Sequence, residues 1–388
     1  MSDLLRTYHL YDDTIRRLLI FTGLWPTANP GILYRLRTLA HGLSALVTSC
    51  AILNFCNHHS ANLGLFLKGL GLAFSFITII QKTICLTIYR HRLVEVHGTL
   101  ASTFSQDLKD RKLQPIVLSP LLSFYRPSLM LSIVTYTVIV MYWITPPIVI
   151  AIQYSRGVDV IKYILPYPTR YPWTINGNSW LYPAHYILDV YAGICLGSFT
   201  SSIDSLFGYY VFQISGQLRT LSHRLTSIKS TENYGQVIRE CAARHQILIR
   251  CQKNLECIYG PIVLWMLVTS AIIMCALIFQ VSQMNPGKAV LVVVYIIMKS
   301  TQILLYGFFG TFLTNENDKF REAVYATDWA GSGKKCFMTD ILIMVTYTPP
   351  ILRACNLSNI SVDMFVAMSN TAMSYFFMLR TLEENNEV

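Results

Sequence analysis

Seven stretches of this chain are apolar over roughly the 20 residues that a helix needs to cross a bilayer. They are Thr38–Cys56, Leu67–Ile88, Leu129–Ile152, a long run from Trp180 to Ile214 or beyond, Tyr259–Val281, Ala289–Phe312 and Ile360–Leu382. Hydrocarbon offers backbone N–H and C=O groups no partner, so such runs fold as helices. Hydrophobic residues make up 53% of the chain and charged residues 13%, with mean hydropathy +0.42. A water-soluble fold of that composition would expose apolar patches far beyond what monomers tolerate. The expected fold class is an all-α membrane protein with seven transmembrane helices in one membrane domain.

Lys and Arg set the orientation. With the N-terminus in the cytosol, inner segments hold 22 of them and outer segments 6, a strong positive-inside bias. That predicts a cytosolic N-terminus and an extracellular C-terminus. The net charge of +10 is explained in the same way, and no basic block with interleaved aromatics calls for nucleic acid. The first 31 residues balance Arg6, Arg16 and Arg17 against Asp3, Asp12 and Asp13 and lack an apolar core. They read as a cytosolic amphipathic arm and not as a cleaved leader.

Phe337–Pro350 is apolar but only about 14 residues long, carries Asp340 and stops at Pro349-Pro350, which suits a buried or interfacial helix better than a span. Ten scattered cysteines are expected to be reduced thiols, and none has zinc spacing. The sequons at Asn356 and Asn359 fall on the inner side, where glycans are not added. Gly331–Lys335 lacks the full phosphate-loop spacing, and His58-His59 reads as a solvated pair. No nucleophile, base and orienter come together, so no enzyme and no cofactor are expected. An N-terminus inside, and the lack of DRY-type and NPxxY-type motifs, exclude a rhodopsin-type receptor and with it a G protein.

Two features point inside the bundle. The last span carries Ser369, Asn370, Thr371, Ser374 and Thr381 among Met, Phe and Leu. Polar groups at membrane depth need water or a partner, so this helix either lines an aqueous path or packs through small polar contacts. Asp189, Asp204, Lys82 and Lys299 lie within spans. Lys82 and Lys299 read as paired or snorkelling, and Asp189 as making a structural hydrogen bond.

Three segments carry a resemblance. The first is LPYPTRYPWTINGNSWLYPAHYILDVYAG, followed by DSLFGYYVFQISGQLRTLSHRL. The second is VIRECAARHQILIRCQKNLECIYGPIVL. The third is AVYATDW, then Pro349-Pro350, then SYFFML. In this order the chain resembles the insect odorant receptors over nearly its whole length. The resemblance implies an odorant-gated, non-selective cation channel that works as a heterotetramer with a co-receptor subunit, in the plasma membrane of an olfactory neuron's dendrite. The long cytosolic insertion of the co-receptor is absent, which implies an odour-tuning subunit. The implied organisation is a cytosolic arm over 1–37, six helices with the odorant pocket over 38–314, a cytosolic anchor over 315–352, and the pore helix with a short tail over 353–388.

A volatile ligand is small and mostly apolar, so its pocket should be aromatic with few polar groups. The candidates are Phe74, Ser75, Phe76, Tyr142, Trp143, Tyr186, Tyr191 and Tyr295. A helical stripe from Met364 through Met368, Thr371, Ser374 or Tyr375, and Met378 to Leu382 would face the pore, where a ring of apolar side chains can close by dewetting. The resemblance implies the constriction at Met378 with Thr381 one turn on, and subunit contacts through Lys319, Tyr325 and Trp329. The alternatives are the sister family of gustatory receptors, whose adjacent Thr-Tyr is here spread over Thr371 and Tyr375, and a secondary transporter, which would show two related halves.

Overall fold

The computed structural model describes residues 3–386 except 174, 176–179, 229–232, 285, 328–334 and 348–349. Among them, helix dominates. The chain runs α1 (Asp3–Thr22), α2 (Ile32–His58), α3 (Leu63–Ile88), α4 (Arg90–Lys109), α5 (Gln114–Val117), α6 (Leu121–Ser155), α7 (Leu181–Thr226), α8 (Tyr234–Ser282), α9 (Pro286–Tyr325) and α10 (Lys335–Thr346). Strands β1 (Arg353–Ala354) and β2 (Ser358–Asn359) form a two-residue antiparallel hairpin, and α11 (Val362–Asn386) follows.

Six helices, α2, α3 and α6–α9, are long and apolar enough to cross a membrane. The seventh expected span is α11, whose Ser, Thr and Asn residues lower its hydropathy. α10 has 12 residues and stops at Thr346, as suits a short non-spanning helix; Pro349 lies outside the described residues. Pro127, Pro146 and Pro147 sit inside α6, which stays a single helix.

α7 and α8 are about 70 Å long at 1.5 Å per residue, twice the hydrocarbon thickness. Their excess length projects from the Arg- and Lys-rich end of the bundle. Ion pairs tie the elements together there. The Arg219 guanidinium grips Glu316 with both arms, at 2.8 and 2.7 Å. Arg244 meets Asp107 at 2.9 Å and Arg250 meets Glu95 at 2.6 Å. α1 lies against α7 through Tyr11, whose hydroxyl is 3.2 Å from the Ser128 hydroxyl and donates to the Ser205 carbonyl. The cysteines other than Cys336, whose side chain is not described, are free thiols.

One junction orders the C-terminal part. Gly307 and Gly310 of α9 press against the backbone of residues 360–362, where α11 begins. A Cβ at Gly307 would meet the Ser361 carbonyl at 2.5 Å, and one at Gly310 would run into the Ile360 carbonyl. Only glycine lets the two backbones come this close. α11 then rises along α8 and α9 on a single stripe, Met364, Met368, Ala372 and Phe376, spaced by four residues.

Candidate ligand cavity and pore helix

Four helices converge on one enclosed cavity toward the end of the bundle that carries loop residues 163–173. α6 lines it with Thr135, Val138, Ile139 and Tyr142, and α9 with Tyr295, Met298, Lys299 and Gln302. Both sets follow i, i+3, i+4, i+7, one face of a helix. α3 adds Leu72, Ser75, Phe76 and Thr78, α7 adds Leu196 and Thr200, and Tyr167 of the loop closes the top.

The cavity is small, about 30 Å³. That volume admits about one or two water molecules, so a ligand of ten heavy atoms enters only if side chains move. Its wall is mixed. The Ser75 and Tyr295 hydroxyls lie 2.6 Å apart and each lies 3.3 Å from the Gly71 carbonyl, so one donates to the other, which in turn donates to Gly71.

At the top, the Tyr142 and Tyr167 rings stand 5.6 Å apart, and Phe76 meets Tyr167 edge-on at 5.2 Å. Tyr142 and Tyr167 also line a second recess of about 580 Å³, walled by loop residues 163–173 and by Phe55, Lys68 and Pro146. The two phenol rings thus partition an open outer recess from the closed inner cavity. Burial pushes the phenols of Tyr167 and Tyr171 up, helped by the nearby Asp189 carboxylate, so both loop tyrosines stay protonated.

At the bottom lies a charge cluster. Asp204 accepts from Lys82 Nζ at 2.5 Å and Tyr306 Oη at 2.6 Å on one oxygen, and from Gln302 Nε2 at 2.6 Å on the other. Lys299 Nζ reaches Gln302 Oε1 at 3.5 Å. Lys82 is therefore paired rather than snorkelling. Asp189 is fully buried beside the backbone of Tyr167, its hydrogen-bonding neighbour, and among the described residues no side chain donates to either of its oxygens.

Ser75, Phe76, Tyr142 and Tyr295 line the cavity, and the other four aromatic candidates do not. Phe74 points off the α3 face that Ser75 and Phe76 share, half-buried against the core. The Trp143 indole packs on Gly193 of α7. Tyr186 donates to the Trp143 carbonyl at 2.6 Å, which ties α7 to α6. Tyr191 turns to α2, with its hydroxyl 2.8 Å from His41 Nδ1. The sequence reading missed Thr135, Tyr167, Thr200, Lys299 and Gln302. Three of them stand at helical spacing from residues it named: Thr135 seven before Tyr142, and Lys299 and Gln302 four and seven after Tyr295.

On α11 the expected stripe divides. Met364 and Met368 are buried against the chain's own helices, while Thr371, Ser374, Met378 and Thr381 are exposed on one face. The three hydroxyls each donate to the carbonyl four residues back, at 2.8, 2.9 and 3.0 Å, which satisfies their protons within the helix. Met378 is 57% exposed. In the 315–352 segment, Lys319 pairs at 3.0 Å with Glu316, itself buried and held by Arg219, so this glutamate binds its own chain. Tyr325 is exposed, and Trp329 lies outside the described residues.

A family model described as 7tm Odorant receptor matches residues 62–373. Odorant receptor 13a of Drosophila melanogaster is 25% identical over 272 residues, 64% of this chain and 64% of that relative, so the match spans just under two thirds of the relative's length. The odorant receptor coreceptor of Anopheles gambiae is 24% identical over 143 residues, 36% of this chain and 30% of that one. The structure of the insect olfactory receptor OR5 from Machilis hrabei, in complex with eugenol, matches with a TM-score of 0.78 at 13% identity, over 98% of this chain and 100% of that chain. At that identity the likeness concerns the fold, the seven-helix membrane architecture. The chain is a multi-pass membrane receptor rather than an enzyme, and it belongs to the 7tm odorant receptor family.

Proposed function

We propose that this chain is the odour-tuning subunit of an odorant-gated, non-selective cation channel, working as a heterotetramer with a co-receptor subunit. It would sit in the plasma membrane of an olfactory neuron's dendrite, with its N-terminus in the cytosol and its C-terminus outside. A small volatile ligand enters from the outer recess past Tyr142 and Tyr167 and occupies the cavity. Ser75, Phe76 and Tyr295 contact it, and the cavity widens as it enters. Thr371, Ser374, Met378 and Thr381 face the pore, with Met378 at the constriction. Tyr325, Lys319 and Trp329 belong to the anchor segment that meets neighbouring subunits.

The observation that carries this reading lies on α9. One face of the helix walls the cavity with Tyr295, Met298, Lys299 and Gln302, and Gly307 and Gly310, about one and two turns further on, press against the start of α11. Packed interfaces of this kind shift between discrete arrangements and do not deform continuously. A ligand that displaces α9 therefore displaces the base of α11, and with it any pore that four such helices enclose. The exposed polar face of α11 suits such a pore.

The test is whole-cell recording from cells expressing the chain with a family co-receptor, during a panel of small volatiles and with G-protein signalling blocked. The expected result is a cation current within milliseconds of ligand arrival, unchanged by the block. A response abolished by the block would refute a directly gated channel.

A further inference from the structure

We infer that the cavity selects ligands that carry a carbonyl or carboxylate oxygen, received by the ammonium of Lys299. The inference rests on the cavity being the ligand site and adds the chemical class of ligand that it prefers.

Charge balance at the cavity floor is the starting point. Lys82 and Lys299 share one carboxylate, Asp204. Lys82 touches it directly at 2.5 Å, and Lys299 is joined to it only through Gln302. The Gln302 amide is oriented by its own hydrogen bond: its N–H donates to Asp204, so its oxygen is the end left for Lys299, at 3.5 Å. That is the outer limit of a hydrogen bond. An ammonium has three protons to place. Lys299 is 6% exposed, so bulk water does not reach it, and none of the described residues lining the cavity is acidic.

The remaining N–H groups of Lys299 face a space whose other walls are apolar or hydroxylic. The Ser75 and Tyr295 hydroxyls bond to each other and to Gly71, and among the described residues Gln302 is the one side chain within hydrogen-bond reach of Lys299 Nζ. A buried cation lacking good acceptors is costly, and a ligand oxygen that supplies one recovers that cost. A hydrogen bond to a charged group favours such a ligand by about tenfold to a hundredfold over an isosteric hydrocarbon. A ligand amine, protonated at neutral pH, meets like charge and is disfavoured. The acceptor would lie at the floor, with the apolar remainder along Phe76, Ile139 and Leu196 toward the tyrosine roof.

The experiment uses the co-assembled channel and a series matched in carbon number: a ketone, an ester and a carboxylic acid against the alkane and the primary amine. Two readouts run in parallel, EC50 for evoked current and the ligand-induced rise in Tm of the purified channel. The expected order is carbonyl compounds first by about tenfold or more, then alkane, then amine. Lys299→Met is expected to narrow the carbonyl-to-alkane ratio to within about threefold, and Lys299→Arg, which keeps the charge, to preserve it. A carbonyl preference unchanged in Lys299→Met would overturn the inference. If Lys299→Met does not reach the surface, the wild-type order decides, and a flat order overturns the inference. Carbonyl-selective thermal stabilisation without any current would leave this inference standing and count against the channel reading alone.

Discussion

Lys82 Nζ sits 2.5 Å from an Asp204 carboxylate oxygen, and both side chains are almost wholly buried between α3 and α7. Tyr306 and Gln302 of α9 complete the coordination of the same carboxylate. One aspartate thus joins three helices within the span, at the point where α9 leaves the cavity and heads for α11.

Breaking that pair should be costly. Removing one partner of a buried ion pair leaves the other charge unmatched, at about 3–5 kcal/mol. Asp204→Ala should be the more damaging substitution, because it strands two lysines and frees Gln302 and Tyr306. Lys82→Met should cost less, and the double variant Lys82→Met/Asp204→Leu should recover part of the loss. Surface expression and the Tm of purified protein measure all three, and a fully stable Asp204→Ala would contradict this account of the cluster.

The contact between Gly310 and Ile360 should be critical for gating. A methyl group at residue 310 collides with a backbone carbonyl and not with a flexible side chain, so α9 and the start of α11 must separate. Overpacking of this kind costs about 1–3 kcal/mol. Gly310→Ala should lower the Tm and reduce maximal current, while ligand-induced thermal stabilisation, which reports the cavity, persists. Normal gating in Gly310→Ala would separate α9 from the pore helix.

The two roof tyrosines should set ligand size and access. Tyr142→Ala removes one of the two rings between the recess and the cavity. Larger homologues of an active ligand should gain potency by about tenfold relative to the smallest, since the site no longer has to open as far. The measurement is the EC50 ratio across a homologous series. An unchanged ratio would move the entry route away from Tyr142 and Tyr167.

The helices were legible in the sequence because bilayer crossing demands long apolar runs, and each run became a helix. Their faces were harder to read. Choosing aromatic residues found Phe76, Tyr142 and Tyr295 but also Phe74 and Trp143, each one residue from a true lining position. One residue is 100° of helix, enough to turn a side chain away. Tyr186 and Tyr191 were spent on helix packing, through bonds that no local pattern announces. Lys299 and Gln302 could have been found by extending the α9 face from Tyr295 in steps of four and seven. Tyr167 could not, because it stands in a Pro-rich loop without a period. Met364 and Met368 were misplaced for a related reason: a stripe started at Met364 drifts across α11 from its buried side to its exposed one.

The most direct test of the central claim, that ligand binding opens a cation path along α11, is cysteine accessibility during odorant steps. Cells expressing the chain with a co-receptor carry Met378→Cys on the exposed face or Met368→Cys on the buried stripe. A charged thiol reagent is applied with and without ligand. The account expects a fast odorant-evoked current that the reagent blocks irreversibly in Met378→Cys, faster with ligand present, and leaves intact in Met368→Cys. An evoked current untouched by the reagent in Met378→Cys, with the reagent reactive elsewhere on the outer surface, would contradict it.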